Sequence, residues 1–166
     1  MKKILEMFPE NARVRRLIVT EFLRLGLKVD GAGRILIGTI EIPPAKIGRA
    51  LGVDRRAVIE TAKSIVNDDK LLPIFYNMES RAFVCNVAKE LNFDTIEIRA
   101  DPNKIGIVAT ISKILADEKV VIRQIISDDP DLFPDPILTI IIDGKINAKI
   151  IERLKKSDVA TSILIK

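Results

Sequence analysis

The chain contains no histidine, no tryptophan and a single cysteine, Cys85. Without histidine the commonest general base and metal ligand is missing, and one thiol can neither close an intramolecular disulfide nor build a thiolate cage for zinc. Most familiar catalytic constellations are thereby unavailable, and the chain reads as a non-enzyme with no cofactor and no metal. Long hydrophobic runs are also missing. No stretch approaches the roughly 18 apolar residues that a membrane span needs, and the charged start Met1-Lys2-Lys3 runs into Glu6 and Pro9 without an apolar signal core. A cytoplasmic protein with no membrane partner is the expectation.

Of the 166 residues, 48% are hydrophobic, ample for one large domain or two small ones. The net charge of +4 is unevenly placed. Residues 1–93 hold 16 Lys and Arg against 11 Asp and Glu, whereas residues 94–166 hold 11 against 12. The basic half is therefore the one to consider for nucleic acid.

In that half, a helix is expected over Asn11 to Leu25, with Val14, Leu17, Ile18, Phe22 and Leu25 on one face and Gly26 as its stop. Lys28 to Gly33 carries turn chemistry, Arg34 to Ile42 alternates as a strand, and Pro43-Pro44 ends it. The next stretch, Ala45 to Ile59, resembles a helix-turn-helix. Gly48 falls where its two helices nearly touch and Gly52 at the turn; Val53 would plug the core and Asp54 would cap the second helix. That helix, from Arg55 to about Val66, would bury Val58, Ala62 and Ile65 and turn Arg55, Arg56, Ile59, Glu60 and Lys63 outward. The resemblance implies DNA contact through Arg55, Arg56, Ile59 and Lys63, because arginine at the start of such a helix reaches guanine edges or phosphates.

Beyond it, Leu71 to Tyr76 reads as an apolar extended segment. Ser80 to Leu91 reads as a helix with Phe83, Val84, Val87, Ala88 and Leu91 on one side, and Cys85 near that side as a buried structural thiol. The expected organisation is a mainly helical, helix-turn-helix-like domain over residues 1–78, a linker helix over 79–93 and a second domain over 94–166.

The second domain reads as strand Thr95 to Ala100, helix Asn103 to Glu118, strands Val120 to Ser127 and Pro136 to Asp143, helix Ile146 to Lys156 and strand Val159 to Ile165. The order β-α-β-β-α-β is that of a ferredoxin-like domain, so the chain as a whole is expected to be α+β. Ile107, Val108, Ile111, Ile114 and Leu115 would bury the first helix, and Ile146, Ile150, Ile151 and Leu154 the second. One sheet face, or the edge made by the second strand, would be left for a partner. The connection Asp128 to Pro136 is acidic and punctuated by prolines; its spacing does not match an EF-hand, and it reads as a rigid loop that packs on a neighbour.

The pattern of strand, Asp101, short loop, Gly106 and apolar helix, in that element order, resembles the ACT domain, a regulatory module that binds amino acids. The resemblance covers residues 94–166. Together with the helix-turn-helix-like segment it extends over most of the chain, to a prokaryotic group of predicted regulators of amino acid metabolism. It implies a small ligand, an amino acid, held by Asp101, Asn103, Ile105, Gly106 and Ile107. Gly106 would let the backbone approach the ligand, Asp101 would hold the ammonium group, and a helix start near Asn103 would favour the carboxylate. It further implies a homodimer paired side by side through the second strand and first helix, with the ligand at the seam. The function implied is an amino-acid-responsive regulator, transcriptional through DNA binding. The alternative is an allosteric subunit that binds an amino acid and docks on a biosynthetic enzyme without touching DNA.

Overall fold

A computed structural model describes residues 1–9 and 11–166, a mixed α+β chain of seven α-helices and two antiparallel sheets among those residues. It divides into two compact units, Met1–Ala82 and Phe83–Lys166. Among the described residues no helix is long and apolar enough to cross a membrane.

The first unit contains α1 (Lys2–Glu6), α2 (Arg13–Leu25), the short strands β1 (Lys28–Val29), β2 (Ile35–Ile37) and β3 (Ile40–Glu41), then α3 (Pro44–Leu51), α4 (Arg55–Val66) and α5 (Leu71–Tyr76). Its core gathers Ile18, Val19, Phe22 and Leu23 of α2, Val58, Ala62 and Ile65 of α4, and Leu71 and Phe75 of α5. Phe22 and Phe75 meet edge to face, centroids 6.5 Å apart at 71°, a preferred aromatic geometry. The buried side of α2 differs from the expected stripe: Ile18 and Phe22 are buried, but Val14, Leu17 and Leu25 are exposed while Val19 and Leu23 are inside. Both sets of positions are apolar, so periodicity alone leaves the face ambiguous by about one residue.

Two further expectations are corrected in this unit. The single strand over Arg34 to Ile42 is a hairpin, β2 turning through Gly38-Thr39 into β3, with Ile37 opposite Ile40. Leu71 to Tyr76 is a helix, not an extended segment. Asp68 accepts the Lys70 and Leu71 amide N–H groups at 2.8 and 3.1 Å, satisfying donors that a helix start leaves open. Pro73 lies within the first turn, where a missing N–H costs nothing.

The second unit contains β4 (Phe93–Arg99), α6 (Ile107–Asp117), β5 (Ile122–Ser127), β6 (Leu138–Asp143), α7 (Ala148–Lys156) and β7 (Ser162–Ile165). The sheet order is β5-β6-β4-β7, every neighbouring pair antiparallel. Ile96 and Ile98 of β4 with Leu138, Ile140 and Ile142 of β6 pack against Ile111, Ile114 and Leu115 of α6 and Ile150 and Leu154 of α7. Val108 of α6 is exposed rather than buried, and Ile146 and Ile151 are half-buried.

The expected helix over Ser80 to Leu91 is replaced by two single-turn 3₁₀ helices, Cys85–Val87 and Lys89–Leu91. The segment is tied to the sheet by polar contacts instead: the Val84 N–H donates to Gln124 Oε1 at 3.3 Å, and the Cys85 thiol lies 3.7 Å from Glu97 Oε1. Cys85 is accordingly half-buried. On this second sheet face Thr95, Thr139 and Ile141 are buried, and so is Ala88 of the covering segment. That face is thus not left bare for a partner, whereas β5 remains an edge strand with Ile125 exposed.

Candidate functional site

The joint between β4 and α6 is built from a turn followed by a glycine. The Asp101 carbonyl accepts the Lys104 N–H at 2.9 Å, and Asp101 Oδ1 accepts the Asn103 backbone and side-chain N–H groups at 2.9 and 3.2 Å. Gly106 then caps α6 with φ of 86°, a left-handed conformation in which a side chain is strained. The helix therefore begins at Ile107 rather than near Asn103, because residues 101–104 are used up in the turn.

A cleft of about 290 Å³ opens beside this joint. One wall runs from Pro102 to Ala109, including Lys104, Gly106 and Ile107; the other comes from the acidic connection, through Ser127, Asp128, Pro130 and Pro136. The strands bring the walls together, since Ile98 of β4 pairs with Leu138 of β6 and Ser127 of β5 pairs with the same Leu138. Of the residues expected to hold a ligand, Gly106 and Ile107 line the cleft. Asp101 and Asn103 do not, being engaged with each other, and Ile105 is 98% exposed outside it. Lys104 and Asp128 are the charged residues of the lining and were not singled out from the sequence.

The acidic connection does not pack as a free-standing loop. The Asp128 N–H donates to the Ile137 carbonyl at 3.0 Å, and Asp128 Oδ2 accepts the Ile137 N–H at 3.1 Å. Asp129 Oδ1 accepts the Asp131 N–H at 2.8 Å, and Asp135 Oδ2 accepts Arg99 Nε of β4 at 2.8 Å. The carboxylates thus serve different partners, and among the described residues no group of three or more His, Cys, Asp or Glu is arranged to hold a metal ion.

In the first unit, α3 and α4 are joined by the turn Gly52-Val53-Asp54. Asp54 caps α4 by accepting the Arg56 N–H at 2.7 Å, and the Val53 N–H donates back to the Gly48 carbonyl at 2.9 Å. Val53 itself is half-buried, while Val58, Ala62, Ile65 and Thr61 are fully inside. The Thr61 hydroxyl is satisfied by the Ala57 carbonyl at 2.7 Å, so a polar residue sits in the core without cost. Arg55 and Arg56 are exposed at the first turn of α4, Ile59 is half-buried, and exposed Lys63 is paired with Glu60 at 3.1 Å. Arg34, by contrast, is spent on Asp30, whose Oδ2 lies 2.7 Å from its Nε and 2.6 Å from its Nη2.

No protein-family model matches the chain, and no curated protein matches it.

Proposed function

We propose that this chain is an amino-acid-responsive regulator of amino acid metabolism, in which a ferredoxin-like, ACT-like second unit binds the amino acid and a helix-turn-helix-like first unit binds DNA. The observation that carries the reading is the cleft at the β4–α6 joint, floored by a β-α-β-β-α-β sheet, in the same chain as a tight α3–α4 pair with two exposed arginines at its second helix. The short Gly52 to Asp54 turn and the close approach at Gly48 favour the helix-turn-helix assignment. Two copies pair through the open β5 edge, where Val121 and Ile125 are exposed. The amino acid acts on transcription because it binds more tightly to one of the DNA-competent and incompetent states than to the other.

The test is binding of the full chain to a labelled duplex from its own upstream region, across a salt series and with each of the common amino acids. Salt-sensitive binding that an amino acid alters is the expected result. Absence of such binding under every condition sinks the DNA part. Co-purification with a biosynthetic enzyme, with function intact after Arg55→Glu and Arg56→Glu, would favour the enzyme-docking subunit instead.

A further inference from the structure

The cations of the first unit sort by place into compensated and uncompensated ones. Arg24 near the end of α2 pairs with Glu21 at 2.7 Å, Arg34 with Asp30 at 2.6 Å, and Lys63 with Glu60 at 3.1 Å. Among the described residues, Arg13 and Arg15 at the start of α2 and Arg55 and Arg56 at the start of α4 have no ion-pair partner. Guanidinium groups left uncompensated raise the local potential and favour an anionic partner.

The two helix starts are neighbours in space. A cleft of about 300 Å³ is bounded on one side by Asn11 to Arg15 and on the other by Ala57, Glu60 and Thr61 of α4. Arg56 precedes Glu60 by four residues, so the two share a side of α4 and Arg56 adjoins the cleft that Arg13 and Arg15 line. The carboxylate in the lining, Glu60, is already paired with Lys63. Arg13 is exposed and Arg15 half-buried, so the first meets solvent freely while the stem of the second is packed and has less freedom to lose on contact.

The partner that fits is the sugar-phosphate backbone of a duplex. It presents about one negative charge per 1.7 Å of helix axis, and arginine meets each phosphate through paired N–H bonds. A helix about 10–12 Å across fills a major groove about 12 Å wide, so elements beside a groove-reading helix meet the backbone at the rim. The start of α2 is such an element beside α4.

We propose that the cleft between the start of α2 and α4 seats a backbone phosphate of duplex DNA, held by Arg13 and Arg15, and that these two residues position the duplex without reading its sequence. The proposal rests on the DNA-binding function above and adds a second contacting element and its chemistry.

Fluorescence anisotropy of the full chain with the labelled upstream duplex and a scrambled one, across a salt series, tests it. Changing Arg13 and Arg15 together to alanine should reduce the slope of log affinity against log salt concentration by about 1.8 and weaken both duplexes by the same factor. Arg13→Ala alone, at an exposed position, should reduce it by about 0.9. Arg24→Ala, on the same helix but paired with Glu21, should leave it at the parent value. A parent-like slope in variants that melt like the parent overturns the proposal and leaves DNA binding through α4 standing. So does weakening confined to the upstream duplex, which would make these residues sequence readers, or an equal slope change in Arg24→Ala, which would make the effect one of overall charge. No salt-sensitive binding by the parent removes the DNA-binding function and this proposal with it.

Discussion

Gly48 of α3 lies against the turn that follows it: a Cβ on this residue would stand 2.8 Å from the Val53 carbonyl oxygen and 3.2 Å from the Arg55 amide nitrogen. Both are backbone atoms, so no flexible side chain can swing aside. At an exposed helix position, exchanging glycine for alanine gains about 1 kcal/mol in helix propensity. Crowding a packed interior costs about 1–3 kcal/mol, and here the steric cost should prevail. Gly48→Ala is therefore expected to lower stability by about 1–2 kcal/mol in urea titration. A stabilised variant would mean that α3 and α4 are not held this close.

The second unit carries the opposite kind of site, where a deletion should help. Thr95 is 1% exposed, and its Oγ1 has no hydrogen-bond partner. A buried hydroxyl left unpaired costs roughly 1–3 kcal/mol. Valine keeps the branched shape that suits a strand and removes the hydroxyl. Thr95→Val should raise the urea midpoint, by an amount equivalent to about 1 kcal/mol. A fall of that size would indicate that the hydroxyl is satisfied by bound water in solution.

Asp94 supplies a pH-dependent contribution. Its carboxylate, nearly buried, accepts Lys145 Nζ and the Ile146 N–H, both at 2.8 Å, tying the start of β4 to the segment before α7. Burial alone would push the carboxyl upward, but these hydrogen bonds and the Lys145 charge outweigh it and hold the group below the usual carboxylate range. A folded pKa below the unfolded one gives stability that is complete above the unfolded value and lost as pH falls through the folded value. Asp94→Asn should therefore be less stable than the parent at neutral pH, by about 1–3 kcal/mol. The two should converge in acid, once the parent's carboxyl is protonated. Parallel urea midpoints down to about pH 2 would contradict this assignment.

What could be read in advance was local. Ile96 and Ile98 alternate with Thr95 and Glu97, so the strand character of β4 follows from period two, and the Gly48, Gly52 and Asp54 pattern describes a turn whose sterics span seven residues. Three failures have a common cause in missing long-range information. The inward face of α2 could not be chosen between two apolar sets, and six residues from Leu71 are too short to display a helical period. The covering segment around Cys85 owes its shape to Gln124 and Glu97, which lie in distant strands. At the cleft, Gly106 and Ile107 were legible from the strand–glycine–helix pattern. Asp128 was not, because only the pairing of β5 and β6 beside β4 brings it into the lining of the same cleft. Asp101 forms the turn through Asn103, a role that the residue type alone does not separate from holding an ammonium group.

The DNA-binding proposal has a quantitative signature in salt. Each phosphate neutralised contributes about 0.9 to the slope of log affinity against log salt concentration. If Arg55 and Arg56 each contact a phosphate from the first turn of α4, changing both to alanine should reduce that slope by about 1.8 and weaken binding to all sequences alike. If one of them instead reads a guanine edge, its removal relaxes preference at one base pair and leaves the slope nearer its parent value. Arg34 gives the contrast: its charge is already compensated by Asp30 through two contacts of 2.7 and 2.6 Å. Arg34→Ala should leave the slope unchanged in fluorescence anisotropy titrations. A slope that responds to Arg34 but not to Arg55 and Arg56 would move the nucleic-acid face off α4 and onto the β1–β2 hairpin.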